Sequence, residues 1–356
     1  MVNERIQVLD CTLRDGGLGL EDAAKSGLSS VCFDSEAIDR VTNHLKHSRI
    51  DIIELGSIEI TGDDRRKYAI YRDIESISKV VPKDRTENQM YAALYRGPDT
   101  PMDDIPQRQE GYCEAVRVII RYSELRKSLD FCKGLAVKGY KVFVQPMLTM
   151  RYTDQEIQMC IDASNDMGAY ALYFVDSYGY MNEQDISRFF ERYDSGLDPS
   201  IRIGFHAHNN MNLAFSNAIS FIQKDSARNL VVDSCILGIG QGAGNLQTEI
   251  ITDYLNCNLR GNYNYNAILE ACEIIEKYWA QNIWGYSVTR LLPAIHKTAY
   301  KYSVDLRNRY GLSLMAINHI FSNMPEELRH RYTPENTIRL LAIFGYGNLA
   351  NNKSEE

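Results

Sequence analysis

Two of the chain's seven histidines stand two positions apart at the end of an apolar run, in FHAHNN (205–210). In an extended segment alternate side chains share a face, so His206 and His208 project together with Ala207 opposite, and their imidazoles can reach one ion. Taken alone, the pair reads equally as two polar residues hydrogen-bonded to nearby loops. A second segment, LDCTLRDGG (9–17), presents Arg14 and Asp15 just beyond the first strand-like run. A carboxylate with two imidazoles is a mixed oxygen and nitrogen donor set suited to Mn²⁺, Mg²⁺, Co²⁺, Fe²⁺ or Zn²⁺, with positions left open for substrate and water. Arg14 beside such an ion would offset negative charge developing on a substrate oxygen; the plainer alternative is a surface ion pair. In a third segment, LGIGQGAGNLQTE (237–249), Gly238, Gly240, Gly242 and Gly244 precede Asn245. This reads either as a loop that lets the Asn245 carbonyl oxygen approach the ion or as an ordinary glycine-rich turn.

The elements that must position these residues alternate along the chain. Strand-like runs are expected at 6–10, 50–55, 90–95, 115–120, 141–146, 171–176, 202–208 and 230–236. Several are apolar almost throughout, as strands covered on both faces should be, and helical spacing recurs between them in SEAIDRVTNHLKH, SELRKSLDFCKGLAVKG and TDQEIQMCIDASNDMG. This order predicts an α/β fold, a (β/α)₈ TIM barrel over residues 1–260 that carries its active site at the C-terminal ends of the strands. All three segments above fall at that rim. From Gly261 to the end, residues 261–356 form a helical C-terminal extension rich in Tyr and Asn, with no strand-like run. RDGGLGLED lacks the glycine spacing of a dinucleotide-binding turn, which disfavours a nicotinamide enzyme.

Composition sets the outer bounds. Hydrophobic residues make up 44% of the chain, enough for a large core, and a formal net charge of −8 without a dense basic block speaks against nucleic acid or an anionic membrane as partner. The N-terminus lacks the basic and apolar pattern of a secretory signal, and no run approaches a membrane span, so a cytoplasmic location is expected. Eight scattered cysteines without CxxC spacing are expected to be free, buried thiols. The aromatic content of the extension offers an interface for a homo-oligomer.

TLRDGG, HAHNN and GAGN, in this order, resemble the metal-dependent lyase and synthase superfamily built on a TIM barrel with an Asp-Arg-Glu-like motif (DRE-TIM). That group includes 4-hydroxy-2-oxovalerate aldolases, hydroxymethylglutaryl-CoA (HMG-CoA) lyases, and isopropylmalate and homocitrate synthases. The resemblance covers roughly residues 5 to 255 and is nearest to the aldolases. It implies that Asp15, His206 and His208 ligate the metal, with Asn245 matching a ligand of the lyase and synthase branches and Arg14 matching the arginine that stabilises an enolate. Mn²⁺ or Mg²⁺ is the ion it favours. The implied activity is class II aldolase chemistry, cleaving or forming a carbon–carbon bond of a 4-hydroxy-2-oxo acid, with an oxo acid and an aldehyde as small-molecule partners. An acyl-CoA lyase or Claisen-type acyl transferase is the alternative, and a metal-binding barrel that serves as a scaffold without turnover is a third.

The pattern departs from the family at one place. The aldolases carry an acid/base histidine four residues beyond the arginine, and this chain has Leu18 there. Substitutes at hand are Glu21, Asp22, Tyr178 and His319. Glu54 and Asp176, at strand ends, are candidates for orienting a ligand, and Gln145 is a candidate substrate contact. Tyr286, in WGYSVTR, loosely resembles a substrate-positioning tyrosine at the start of the aldolases' C-terminal domain. That domain docks a dehydrogenase in the aldolase complexes, but the extension here diverges too far for such a partner to be inferred.

Overall fold

The computed structural model describes residues 5–60, 63–86, 88–280 and 284–351. Its strands are β1 (Ile6–Asp10), β2 (Ile52–Ile58), β3 (Ile70–Tyr71), β4 (Met90–Tyr95), β5 (Ala115–Ile120), β6 (Lys141–Pro146), β7 (Ala171–Asp176), β8 (Arg202–Ala207) and β9 (Leu230–Ser234). The pairing order is β1-β9-β8-β7-β6-β5-β4-β2-β3, and β1 also pairs with β2, so the parallel sheet closes on itself. Without β3, a two-residue segment attached to β2 beyond Ser57, the closed sheet is the eight-stranded barrel expected of the sequence.

Each expected strand is present with small shifts at its ends. β2 runs three residues past the expected end, because its register against β4 shifts between Glu54 and Ser57 while pairing continues. β8 ends one residue early, so His206 lies in the strand and His208 just after it. β4 and β7 are buried along their whole length, the result of helices outside and side-chain layers inside. The helices are bounded by local chemistry. Asp34 caps Ser35–His47 by accepting from the Ala37 amide, and Thr153 with Glu156 forms a capping box on Asp154–Met167, which ends at a left-handed Gly168.

The glycine-rich RDGGLGL segment is not a loop. Residues Thr12–Lys25 form a helix, α1, immediately after β1, with Arg14 and Asp15 in its first turns. Glycine is required there by close packing, because a Cβ on Gly17 would stand 2.1 Å from the Tyr68 carbonyl oxygen.

Beyond the barrel, helix Tyr265–Trp279 still belongs to it by packing, with Ile268, Ala271, Ile275 and Tyr278 in the barrel's own core. A second core, around Leu292, Tyr302, Leu306, Ile317, Phe321 and Leu341, gathers the later helices. Trp284 packs in the first core and Leu292 in the second. All eight cysteines are free; Cys257 is exposed, against the expectation of burial, and Cys11 and Cys235 lie with their sulfurs 3.3 Å apart beneath the rim. Among the described residues no helix is long and apolar enough to cross a membrane.

Asp10, at the end of β1, is fully buried and accepts from the Thr12 amide at 3.0 Å, the Thr12 hydroxyl at 3.0 Å and the Thr248 hydroxyl at 2.7 Å. Burial outweighs these bonds and pushes its carboxyl up to about 6 from an ordinary value of 3.8. A folded-state pKa above the unfolded one means that the folded protein holds the proton more tightly, so this stability is complete below pH 3.8 and is lost as pH rises through 6. An amide in place of this carboxyl never ionises. Urea unfolding of Asp10→Asn should therefore show its stability relative to wild type improving between pH 4 and 7, by at most on the order of 3 kcal/mol. A difference that is flat or falls with pH would refute this reading of Asp10.

Candidate metal centre

Asp15, His206 and His208 converge at the C-terminal mouth of the barrel, all three enclosed, with one potential ligand atom from each within 4.8 Å of the others. His206 Nδ1 donates to Asp233 Oδ2 at 2.8 Å, which fixes the ring and turns Nε2 toward Asp15 Oδ2, 3.7 Å away. His208 Nδ1 lies 3.2 Å from the Gln241 carbonyl oxygen and donates to it, leaving its Nε2 free as well. The two rings meet edge to face with centroids 5.1 Å apart. Although His208 is past the end of β8, the chain there is held by the glycine loop: Asn209 N donates to Gly244 O at 2.8 Å and Leu246 N to Ala207 O at 3.3 Å. Those bonds bring Asn245 opposite His208. Gly244 makes them possible, since its φ is +99° and a Cβ would sit 1.9 Å from the Gly238 carbonyl oxygen.

The donor set fits a divalent cation. Asn245 is buried, its amide nitrogen donates to Asp15 Oδ2, and its Oδ1 has no hydrogen-bond partner, an expensive state for a buried oxygen unless a ligand completes it. The surrounding charges point the same way. Arg14 donates through Nη1 to Asp15 at 2.6 Å and through Nε to Glu54 at 2.7 Å; Arg117 donates to the same Glu54 oxygen at 2.7 Å and to Asp233. Two arginines thus face three carboxylates, and the remaining positive charge can come from a cation or from a protonated His206. The two imidazoles titrate apart. Burial and then the neighbouring His206 push His208 down to about 4, whereas His206, despite its burial, is raised to about 9 by its hydrogen bond to Asp233 and by Cys11. Against the effect of burial, Arg14 and both histidines hold Asp15 at about 2, so this carboxyl is ionised across the physiological range.

These residues open into a cavity of about 330 Å³. Gln145 lines it, and its amide is satisfied with the oxygen toward Arg117, accepting from Nε at 2.6 Å, so that its NH₂ group remains available to a ligand. Glu54 bridges Arg14 and Arg117 instead of facing the ion directly. Asp176 does not touch the ligands' side chains; it accepts from the Tyr180 and Met181 amides, each at 3.0 Å, and braces the loop that carries Tyr178. Tyr286 lies apart from these residues. It is 54% exposed and does not line the cavity, because the chain there is anchored by its neighbour Trp284, whose indole donates to Gly240 O at 2.5 Å.

Sequence reasoning missed two groups. Arg117 and Asp233 were concealed inside the apolar runs AVRVII and LVVDSC, although a lone charge in a strand buried on both faces must be paired. The other group is the extension, which supplies Ala299, Tyr300, Lys301, His330, Arg331 and Tyr332 to the wall of the same cavity. It is tied down by Asp22, which accepts from Tyr300 and, at 2.7 Å, from Lys301. Of the candidates to replace the histidine missing at Leu18, Asp22 is engaged in that tether and Glu21 in ion pairs with Arg65 and Lys25. His319 packs edge-on against Phe344 away from the cavity. Tyr178 does line the cavity, with its hydroxyl 2.7 Å from His330 Nδ1.

The HMGL-like family model matches residues 5–275, and the chain belongs to that family of divalent-metal-dependent, lyase-type enzymes. A 4-hydroxy-2-oxovalerate aldolase of Geobacillus genomosp. 3 is 26% identical over 279 residues, 77% of this chain and 78% of that protein. Among solved structures, Bacillus subtilis HMG-CoA lyase superposes with a TM-score of 0.62 at 19% identity, covering 78% of this chain and 95% of that one. The carboxyl transferase domain of Rhizobium etli pyruvate carboxylase, solved with pyruvate, superposes with a TM-score of 0.70 at 14% identity over 98% of this chain and 62% of that one. The latter likeness extends the shared fold through the C-terminal helices.

If Asp233 orients His206, replacing its acceptor weakens the ion's hold without removing a ligand. Asp233→Asn should bind Mn²⁺ about 10- to 100-fold more weakly than wild type by titration calorimetry. Equal affinity in a variant of unchanged thermal stability would show that Asp233 serves only the ion pair with Arg117.

Proposed function

We propose that this protein is a divalent-metal-dependent carbon–carbon lyase of the aldolase type, acting on a 4-hydroxy-2-oxo acid through a pyruvate-type enolate. The observation that carries the proposal is the convergence of Asp15, His206 and His208 beside Arg14 in one buried cavity. Asp15 Oδ2 and the two Nε2 atoms would hold the ion, and Mn²⁺ or Mg²⁺ suits this mixed set when substrate and water oxygens fill the remaining positions. When bound, such an ion supplies Lewis-acid polarisation of the substrate's 2-oxo group. Arg14 uses Nε on Glu54 and Nη1 on Asp15, which leaves Nη2 to donate to the oxygen on which enolate charge collects. The anchoring of Arg14 by two carboxylates keeps it in place before substrate arrives, so no reorganisation is needed at the moment of reaction. Gln145 can donate to a substrate carboxylate or oxo oxygen from the opposite wall.

One observation favours a second reading. The unpartnered Asn245 oxygen matches the ligand of the acyl-CoA lyases and synthases, so an acyl-CoA substrate is the alternative to the oxo acid.

The test needs no knowledge of the aldehyde. Wild-type protein loaded with Mn²⁺ should exchange the methyl protons of pyruvate with D₂O, followed by proton NMR, and EDTA should abolish exchange. Asp15→Asn should lose metal and exchange together, whereas Arg14→Ala should keep metal and lose about 100-fold or more in rate. A metal-loaded protein without exchange would contradict the pyruvate-type enolate, and would favour the acyl-CoA substrate or a barrel that binds metal without turnover.

A further inference from the structure

The chain has no histidine at position 18 to move a proton, yet the structure builds a hydrogen-bonded line of side chains into the cavity from another direction. Tyr178 follows β7 and lines the cavity with only 8% of its surface exposed. Its hydroxyl is 2.7 Å from His330 Nδ1, and the two rings stack with centroids 6.0 Å apart. His330 Nε2 is in turn 2.9 Å from Glu326 Oε1, one helical turn away on the extension. This geometry assigns the tautomer: Nε2 carries the proton that Glu326 accepts, and Nδ1 accepts from the tyrosine. Tyr178 comes from the barrel and His330 from the extension, and both line the cavity.

Resting on the enolate reading above, we propose that Tyr178 and His330, with Glu326 as a positioning residue, form the proton relay of this enzyme. In cleavage, Tyr178 Oη takes the proton of the substrate's C4 hydroxyl while its own proton passes to His330 Nδ1. The electrons of the broken O–H bond form the carbonyl of the departing aldehyde. The C3–C4 bond breaks and its pair enters the C2–C3 enolate, whose oxygen faces Arg14. The proton then returns from His330 through Tyr178 to C3, which completes the 2-oxo acid and resets the relay. Synthesis is the reverse. Burial makes a free tyrosinate costly and raises the phenol, so a transfer that is concerted with His330 avoids that species. Burial likewise lowers His330, opposed by Glu326 and aided by Arg151, so the imidazole rests neutral and ready to accept; the other charge facing it is Arg329.

Two reactions separate this relay from a structural role. Cleavage of 4-hydroxy-2-oxopentanoate requires removal of a hydroxyl proton, whereas decarboxylation of oxaloacetate reaches the same enolate by loss of CO₂ and requires none. With Mn²⁺ present, Tyr178→Phe should slow single-turnover cleavage, read as aldehyde release, about 100-fold or more, while single-turnover CO₂ release from oxaloacetate, which precedes protonation of C3, stays within about threefold of wild type. His330→Ala should lose cleavage similarly and recover part of it in added imidazole, a response that a packing defect would not show. Cleavage by Tyr178→Phe within about fivefold of wild type, or a parallel loss of both reactions, would overturn the relay. A wild-type protein that decarboxylates nothing and cleaves nothing with metal bound would instead overturn the enolate reading on which the relay rests.

Discussion

The site depends on a line of paired charges inside the barrel: Arg14 to Glu54, Glu54 to Arg117, Arg117 to Asp233 and Asp233 to His206. Arg117 is fully buried, and removing a guanidinium from water is tolerable only because two carboxylates flank it and the Tyr173 ring lies 5.2 Å beneath it. Tyr173 also donates to Asp233 at 2.9 Å, so that one carboxylate anchors Arg117, Tyr173 and His206 at once. Each member of the line constrains the next. The orientation of His206 and the placement of Arg14, which flank Asp15, are therefore set by one connected network.

A second constraint comes from outside the barrel. Strand ends supply the charges that hold an ion, but they leave the mouth of the barrel open to water. The C-terminal helices cover it, bringing Tyr300, His330 and Tyr332 over the ligands and fastening themselves to α1 through Asp22. The same helix that carries Asp15 at the candidate site thus carries Asp22 at the cover. Closure and ligation share one rigid element, which is why the close packing of its glycines against Tyr68 and Gly240 matters to both.

The barrel was legible because parallel strands buried on both faces leave nearly continuous apolar runs, and the helices between them carry their own amphipathic period and caps. Asp15, His206 and His208 were legible because polar residues at the end of such runs have little structural reason to be there. Arg117 and Asp233 were harder to see, since a single charge within an apolar strand says that a partner exists without saying where along 356 residues it lies. Tyr300 and His330 were not legible, because nothing local distinguishes one tyrosine or histidine of an extension from another. Only the docking of its helices on the rim decides which side chains enter the cavity. The helical state of RDGGLGL was likewise hidden, because three glycines oppose a helix by propensity and are present for the contacts of its outer surface.

The central claim is that Asp15, His206 and His208 hold one divalent ion within reach of Arg14. The most direct test is anomalous diffraction near the manganese absorption edge from crystals grown with Mn²⁺. The account predicts a single strong peak bounded by Asp15 and the Nε2 atoms of both histidines, with the Asn245 amide turned to place its oxygen toward the ion. A peak elsewhere in the molecule, or none at this position under saturating Mn²⁺, would contradict it.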